Sequence, residues 1–179
     1  LVDQQQVAAH VARMLKDPRA VTRSLQFVDQ WLNLQQLANL KPNAEKFPNW
    51  EPRLADDMRE ETLAFFKEVA WTQDRPLADL LNAQFTFVTP RLAKHYGFKT
   101  QGAGRQRYDL SAISERGGLL TQGSILTVGG DEASMVTRGL FILHDLLRGV
   151  VKDPPPCVDT TPVPTRAGLT QRAISESRL

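Results

Sequence analysis

Three times in this chain a capping side chain stands just ahead of a proline and an apolar stretch: Asp17 before Pro18, Asp74 before Pro76, and Thr89 before Pro90. A capping oxygen satisfies a first-turn amide, and proline suits the first turn because it lacks the amide proton that would go unpaired there. Each pair therefore marks the start of a helix. The pattern divides the chain into short and medium helices and disfavours a long coil or an extended sheet.

The apolar spacing agrees. Val7, Val11, Met14 and Leu15 recur at helical intervals before Asp17 closes that segment. Val21, Leu25, Val28 and Leu32 form one stripe of the next segment, widened by Phe27, Trp31 and Leu34, which predicts a buried helix. After the proline-broken loop at 41–50 comes the longest periodic run. There Leu54, Met58, Phe65, Phe66 and Val69 are expected to face inward, with Asp56, Asp57, Glu60, Glu61 and Lys67 mainly on the other side. Short helices are expected after Asp74 and from Pro90 to the stop at Gly97.

"AQFTFV" alternates and is predicted to be extended, and "RQRYDL" reads as a short strand. "GGLLTQGSILTVGG" is apolar without a clear period and fits either helix or strand. Met135, Leu140, Leu143 and Leu147 restore helical spacing. Pro154, Pro155 and Pro156 then favour an extended polyproline arm. The expected fold is mainly α, an irregular helical bundle with a few short extended segments and a proline-rich C-terminal arm. The glycines and polar residues between Phe98 and Arg107 mark the best internal boundary. The expected organisation is a helical domain over 1–101, a smaller helical one over 105–150, the arm over 151–168, and the start of a further helix over 169–179.

Composition narrows the function. With 22 basic and 20 acidic residues interspersed, the net charge of +2 offers no concentrated field for phosphate, so nucleic acid is not an expected partner. No apolar run approaches the roughly 20 residues of a transmembrane helix. The chain begins at Leu1 without a signal pattern, and any export signal is expected to have preceded it. One cysteine builds neither an internal disulfide framework nor a zinc cage, and His10, His95 and His144 lie far apart in sequence. No catalytic and no metal-ligating residue is assigned.

Several side chains invite a chemical reading. Asp56, Asp57, Glu60 and Glu61 could pair carboxylates one helical turn apart, but near a helix N-terminus they are expected to form a solvated face. "RGGLLTQGS" lacks the lysine of a phosphate-binding loop, and Ser124 lacks the second glycine of a nucleophile elbow. His95 either complements a helix C-terminus or ligates haem or metal carried by neighbouring sequence, with Tyr96 beside it. His144 is expected in the core, and Trp31, Trp50 and Trp71 as core and interface filler.

The succession "RMLKDPRA", "FVDQWLNLQQL", "FPNW", "MREETLAFFKEV", "LADLLNAQFTFVTPRLAKHYG", "RGGLLTQGSILTV", "TRGLFILHDLLRG" and "PPP" resembles a pair of adjacent domains of unknown function. Such pairs occur in large exported bacterial proteins, many of them from planctomycetes, that also carry cytochrome c-like domains. In those proteins the counterpart of "GLTQRAISESRL" is typically followed by a covalent-haem motif, which this chain does not contain. The resemblance implies a periplasmic or surface location, with haem c in a following segment or a partner and none in this chain. It departs from the commoner pattern at "TVGGDEASMVTRG" and at Cys157. In an oxidising compartment Cys157 is expected to form a disulfide with downstream sequence or another chain, to lie free against the body, or to serve as a ligand. The resulting expectation is a non-catalytic scaffold or docking module beside a c-type haem domain in an exported redox protein. The alternative is part of an exported enzyme acting on polysaccharide or another polymer, with haem as its redox partner.

Overall fold

The computed structural model describes residues 3–99, 102–131 and 134–152, together with residues 173 and 176. The proline arm and Cys157 lie outside the described residues. The described part is mainly helical, as the capping pattern requires.

Helix α1 (Gln4–Leu15) is capped by Asp3, whose carboxylate accepts from the Gln5 amide at 3.0 Å. Helix α2 (Pro18–Trp31) starts as expected, with Asp17 accepting from the Arg19 amide at 2.9 Å. Asn33, in the left-handed region at φ 52°, then turns the chain into a tight helical turn over Leu34–Asn39. Helix α3 (Pro52–Lys67) runs directly into a wider turn over Glu68–Thr72.

The next start differs from expectation. Asp74 sits at φ 46° and caps nothing, and helix α4 opens only at Asp79, spanning Asp79–Asn82. Arg75 reaches Asp79 at 2.6 Å, so the acid nearest the helix start is the one already inside it. Both extended readings are seen. Strand β1 (Phe85–Val88) pairs antiparallel with β2 (Gln106–Asp109), Phe85 opposite Asp109 and Val88 opposite Gln106. Between the strands lies helix α5 (Pro90–Tyr96), capped by Thr89 and stopped at Gly97 in the left-handed conformation. The ambiguous glycine-flanked stretch becomes a helical turn, helix α6 (Gly123–Leu126) and a second turn. Helix α7 (Met135–Phe141) passes into a wide turn over Ile142–Leu146.

Helix α3 is the centre of the packing. It touches α2, α5, α6, β1 and the Leu34–Asn39 turn. Leu54, Met58 and Phe65 on it and Val69 in the turn that continues it are buried, as predicted, while Phe66 is only half-buried; they pack with Val28 and Leu32 of the α2 region, Phe85 and Val88 of β1, and Leu92 of α5. Leu119 and Ile125 join the same core from beyond β2, so residues on both sides of Arg105 contribute to it.

The apolar stripes of the first two helices behave differently. Helix α1 buries no residue, and Val7, Val11, Met14 and Leu15 all stand exposed. Helix α2 is not the buried helix expected: Phe27 is 61% exposed and stacks on Trp31 at 5.9 Å. Its Val28 side faces α3, and on the other side the Trp31 indole nitrogen donates to the Asp145 carbonyl at 3.1 Å while the Phe27 ring stays exposed. Trp71 is half-buried and donates to the Ser24 hydroxyl at 2.8 Å, while Trp50 packs against the core edge.

A glycine locks the later segment onto the earlier one. The Gly118 amide donates to the Ala83 carbonyl at 2.9 Å, and Gly118 adopts φ 65°. A β-carbon there would run into the Leu81 carbonyl and the Asn82 amide. Gly118→Ala is therefore expected to lower stability by about 1–3 kcal/mol, read as a reduced midpoint in urea unfolding.

Candidate functional site

Leu54, Met58, Glu61 and Phe65 follow one another at intervals of four, three and four, the spacing of a single inward helical face. The third of these is a carboxylic acid. Glu61 is 1% exposed, and Asp57 beside it is also buried, so the acid group is not the solvated face that its composition suggested. Only Asp56 and Glu60 of the four lie exposed.

Burying a carboxyl is costly unless its oxygens are bonded. Each Glu61 oxygen has a hydroxyl donor: Thr86 of β1 to Oε1 at 2.5 Å, and Tyr96 at the end of α5 to Oε2 at 2.6 Å. Tyr96 also accepts from the Gly123 amide at the start of α6, at 2.9 Å. That approach needs glycine, because a β-carbon at 123 would meet the Tyr96 hydroxyl and the Met58 side chain. Arg116 lies over the Tyr96 ring, 3.9 Å from its centroid, and 5.5 Å from that of Phe98. One carboxyl thus gathers α3, β1, α5 and the segment that leads into α6.

Next to Glu61, the Thr62 hydroxyl faces Gln122 Oε1 at 2.8 Å, Ser124 Oγ at 2.6 Å and the Met58 carbonyl at 3.2 Å. Gln122 Nε2 is buried without a partner among the described residues. Three other charges of α3 pair with residues distant in sequence. Asp57 bonds Arg91 of α5 at 2.6 Å, Arg59 bonds Asp29 of α2 at 2.6 Å, and Glu60 meets Arg105 at 3.0 Å. The bond from Arg59 holds Asp29 below the usual carboxylate range.

Burial pushes Glu61 up to about 7, against the opposing pull of the Thr86 and Tyr96 hydroxyls and the Arg116 charge. Burial and the neighbouring carboxylate raise the Tyr96 hydroxyl well above its ordinary range, so it stays a donor. Glu61 can accept two hydroxyl bonds as a carboxylate or return one proton to a hydroxyl oxygen as an acid. It can store a proton, but it is sealed from any substrate.

His95 stands one residue before Tyr96 on the last turn of α5, exposed, its ring 5.7 Å from that of Tyr96. It lines a shallow hollow of about 210 Å³ with Asn49, Glu51, Leu54, Arg91 and Lys94. Partial desolvation and the Arg116 charge lower its pKa, leaving a neutral imidazole at pH 7. His144 is exposed rather than in the core, beside Arg148 and Val150 in the wide turn that ends the α7 segment. Among the described residues no cluster of three metal-ligating side chains exists, and no helix is long and apolar enough to cross a membrane. Cys157 lies outside them.

The geometry defines a class: a small helical module whose elements converge on one buried, hydrogen-bonded acid. Residues 1–98 match the family described as "Protein of unknown function (DUF1592)", and residues 116–178 match PSCyt3, "Protein of unknown function (DUF1588)". The chain belongs to the first of these families and carries the second domain behind it, the tandem arrangement anticipated from its motifs. No curated protein and no solved structure matches it.

The native state holds the Glu61 proton up to about pH 7, whereas the unfolded chain releases it near 4.5. The native state therefore binds more protons between these values, and stability falls as pH rises through that window. The total is roughly 3 kcal/mol, from about 1.4 kcal/mol per pH unit. Urea midpoints measured from pH 5 to 8 are expected to fall, and Glu61→Gln, which stays neutral, should flatten that fall and exceed the parent at pH 8.

Proposed function

We propose that this chain is a non-catalytic docking module that seats a c-type haem domain within an exported redox protein. The observation that carries the reading is the apolar surface exposed on α1 and α2. Val7, Val11, Met14 and Leu15 are 44–56% exposed, and the Phe27 and Trp31 rings lie stacked on the neighbouring helix. Apolar surface concentrated on adjacent helices is the usual mark of a protein contact.

The choice of occupant draws on the second domain, whose family name PSCyt3 points to a cytochrome association. Export follows from the same context, since covalent haem domains of this kind belong to oxidising compartments. A catalytic reading for a polymer substrate would need two carboxyls facing one cleft. The hollows lined by Asp131, Glu51 and Asp56 hold one carboxylate each, and Glu61 reaches none of them.

The described residues fit haem only from outside. His95 offers one outward, neutral imidazole and no second ligand beside it, so its role is a contact or a single ligand to a haem held by the partner. Cys157 is assigned to a covalent link with downstream sequence or a partner.

The test is calorimetric titration of this chain with the c-type haem domain of its parent polypeptide. Saturable binding is expected, weakened about tenfold or more by Val11→Asp and by Phe27→Ser, both exposed positions whose change leaves the fold intact. Absence of binding, or equal binding by both variants, removes the docking reading. His95→Ala is expected to shift the haem absorption bands of the complex.

A further inference from the structure

One hollow has a volume of about 390 Å³, within the range of small-molecule sites. It lies between the Leu34–Asn39 turn on one side and the segment from α6 to α7 on the other. The two sides belong to the two matched families, and a junction between modules is a common place for a ligand site. Asp131 clasps one rim to the other, its carboxylate accepting from the Lys41 amide at 2.7 Å.

The lining is selective. Its floor is apolar, with Leu32, Leu34, Leu37 and Phe141. Its polar groups are carboxamides and hydroxyls: Asn33, Gln36, Asn39, Ser124 and Thr127. Asp131 is the only ionisable side chain in the lining, and no lysine, arginine or histidine joins it. A phosphate, sulfate or carboxylate would meet a like charge and no counter-charge, so anions are disfavoured.

Carboxamides present donor and acceptor on one planar group, as vicinal hydroxyls require. Asn39 Nδ2 already donates to Gln36 Oε1 at 3.2 Å, which sets the two amides side by side along the rim. In the wall, Thr62 has one hydroxyl proton, and the Gln122 oxygen at 2.8 Å is a closer acceptor than the Met58 carbonyl at 3.2 Å. With that proton so placed, Ser124, itself 1% exposed, donates to Thr62, and the three side chains form a fixed polar wall behind the amide rim.

We propose that this cleft is a binding site for a neutral sugar ring, whose hydroxyls pair with the amide rim and whose C–H face rests on the leucine and Phe141 floor. The site stands independently of the docking face, since none of its lining residues lies on α1 or within α2.

The test is titration calorimetry of the chain and its parent polypeptide with methyl α-D-glucoside, methyl α-D-mannoside and methyl β-D-galactoside. Glucuronate and N-acetylalanine methylamide serve as anionic and peptide probes. At least one neutral glycoside is expected to saturate in the millimolar range or tighter. Asn33→Gly, which keeps the left-handed backbone, and Asn39→Ala should each weaken it about tenfold at unchanged melting temperature, the worth of one lost hydrogen bond. The proposal is overturned if no neutral glycoside saturates, or if both variants bind as the parent does. Tighter binding of glucuronate would make this an anion site instead, and tighter binding of the capped alanine a peptide site.

Discussion

A carboxyl group in an apolar interior must be bonded on both oxygens or the fold that buries it loses several kcal/mol. In this chain that requirement falls on Glu61, and it is met by side chains 25 and 35 residues away, on β1 and α5. The Tyr96 hydroxyl then passes the constraint to Gly123, so the placement of α6 depends on the same acid. Helix α3 therefore does two things at once. Its leucine, methionine and phenylalanine supply the apolar core, and its acids dictate which elements may approach and in what register.

Much of the architecture was legible because it follows from local chemistry. Asp17, Thr89 and Gly97 act as caps and stops through their own backbone neighbours, and both extended stretches, "AQFTFV" and "RQRYDL", are short and bounded by turn or helix signals. What escaped was long-range. Glu61 was grouped with Asp56, Asp57 and Glu60 by composition, although its spacing from Met58 and Phe65 already placed it on the inward face. Periodicity carried the correct answer there, and charge obscured it. Asp74 failed as a cap because the chain turns at φ 46° before any helix begins, which no residue type announces.

The opposite error occurred on α2. Helical spacing of Val7, Val11 and Met14 shows that a helix has an apolar side, but not what covers it. The same pattern describes a buried helix and one awaiting a partner. The exposed Phe27 ring and the half-uncovered Trp31 distinguish the two cases only once the neighbouring elements are placed. The cleft beneath Asp131 was illegible for a similar reason, since its two walls are separated by some ninety residues and meet only through the fold.

The pairing of β1 with β2 has a further implication. Strand β2 lies at Gln106–Asp109, in the interval between the two matched families, and belongs to neither. A polypeptide ending at residue 98 would keep β1 but present its backbone amides and carbonyls from Phe85 to Val88 as a bare, apolar edge. Such an edge recruits any extended chain it meets. The linker is thus also a guard strand, and the first family segment moved alone into another protein would carry an open invitation to aggregate.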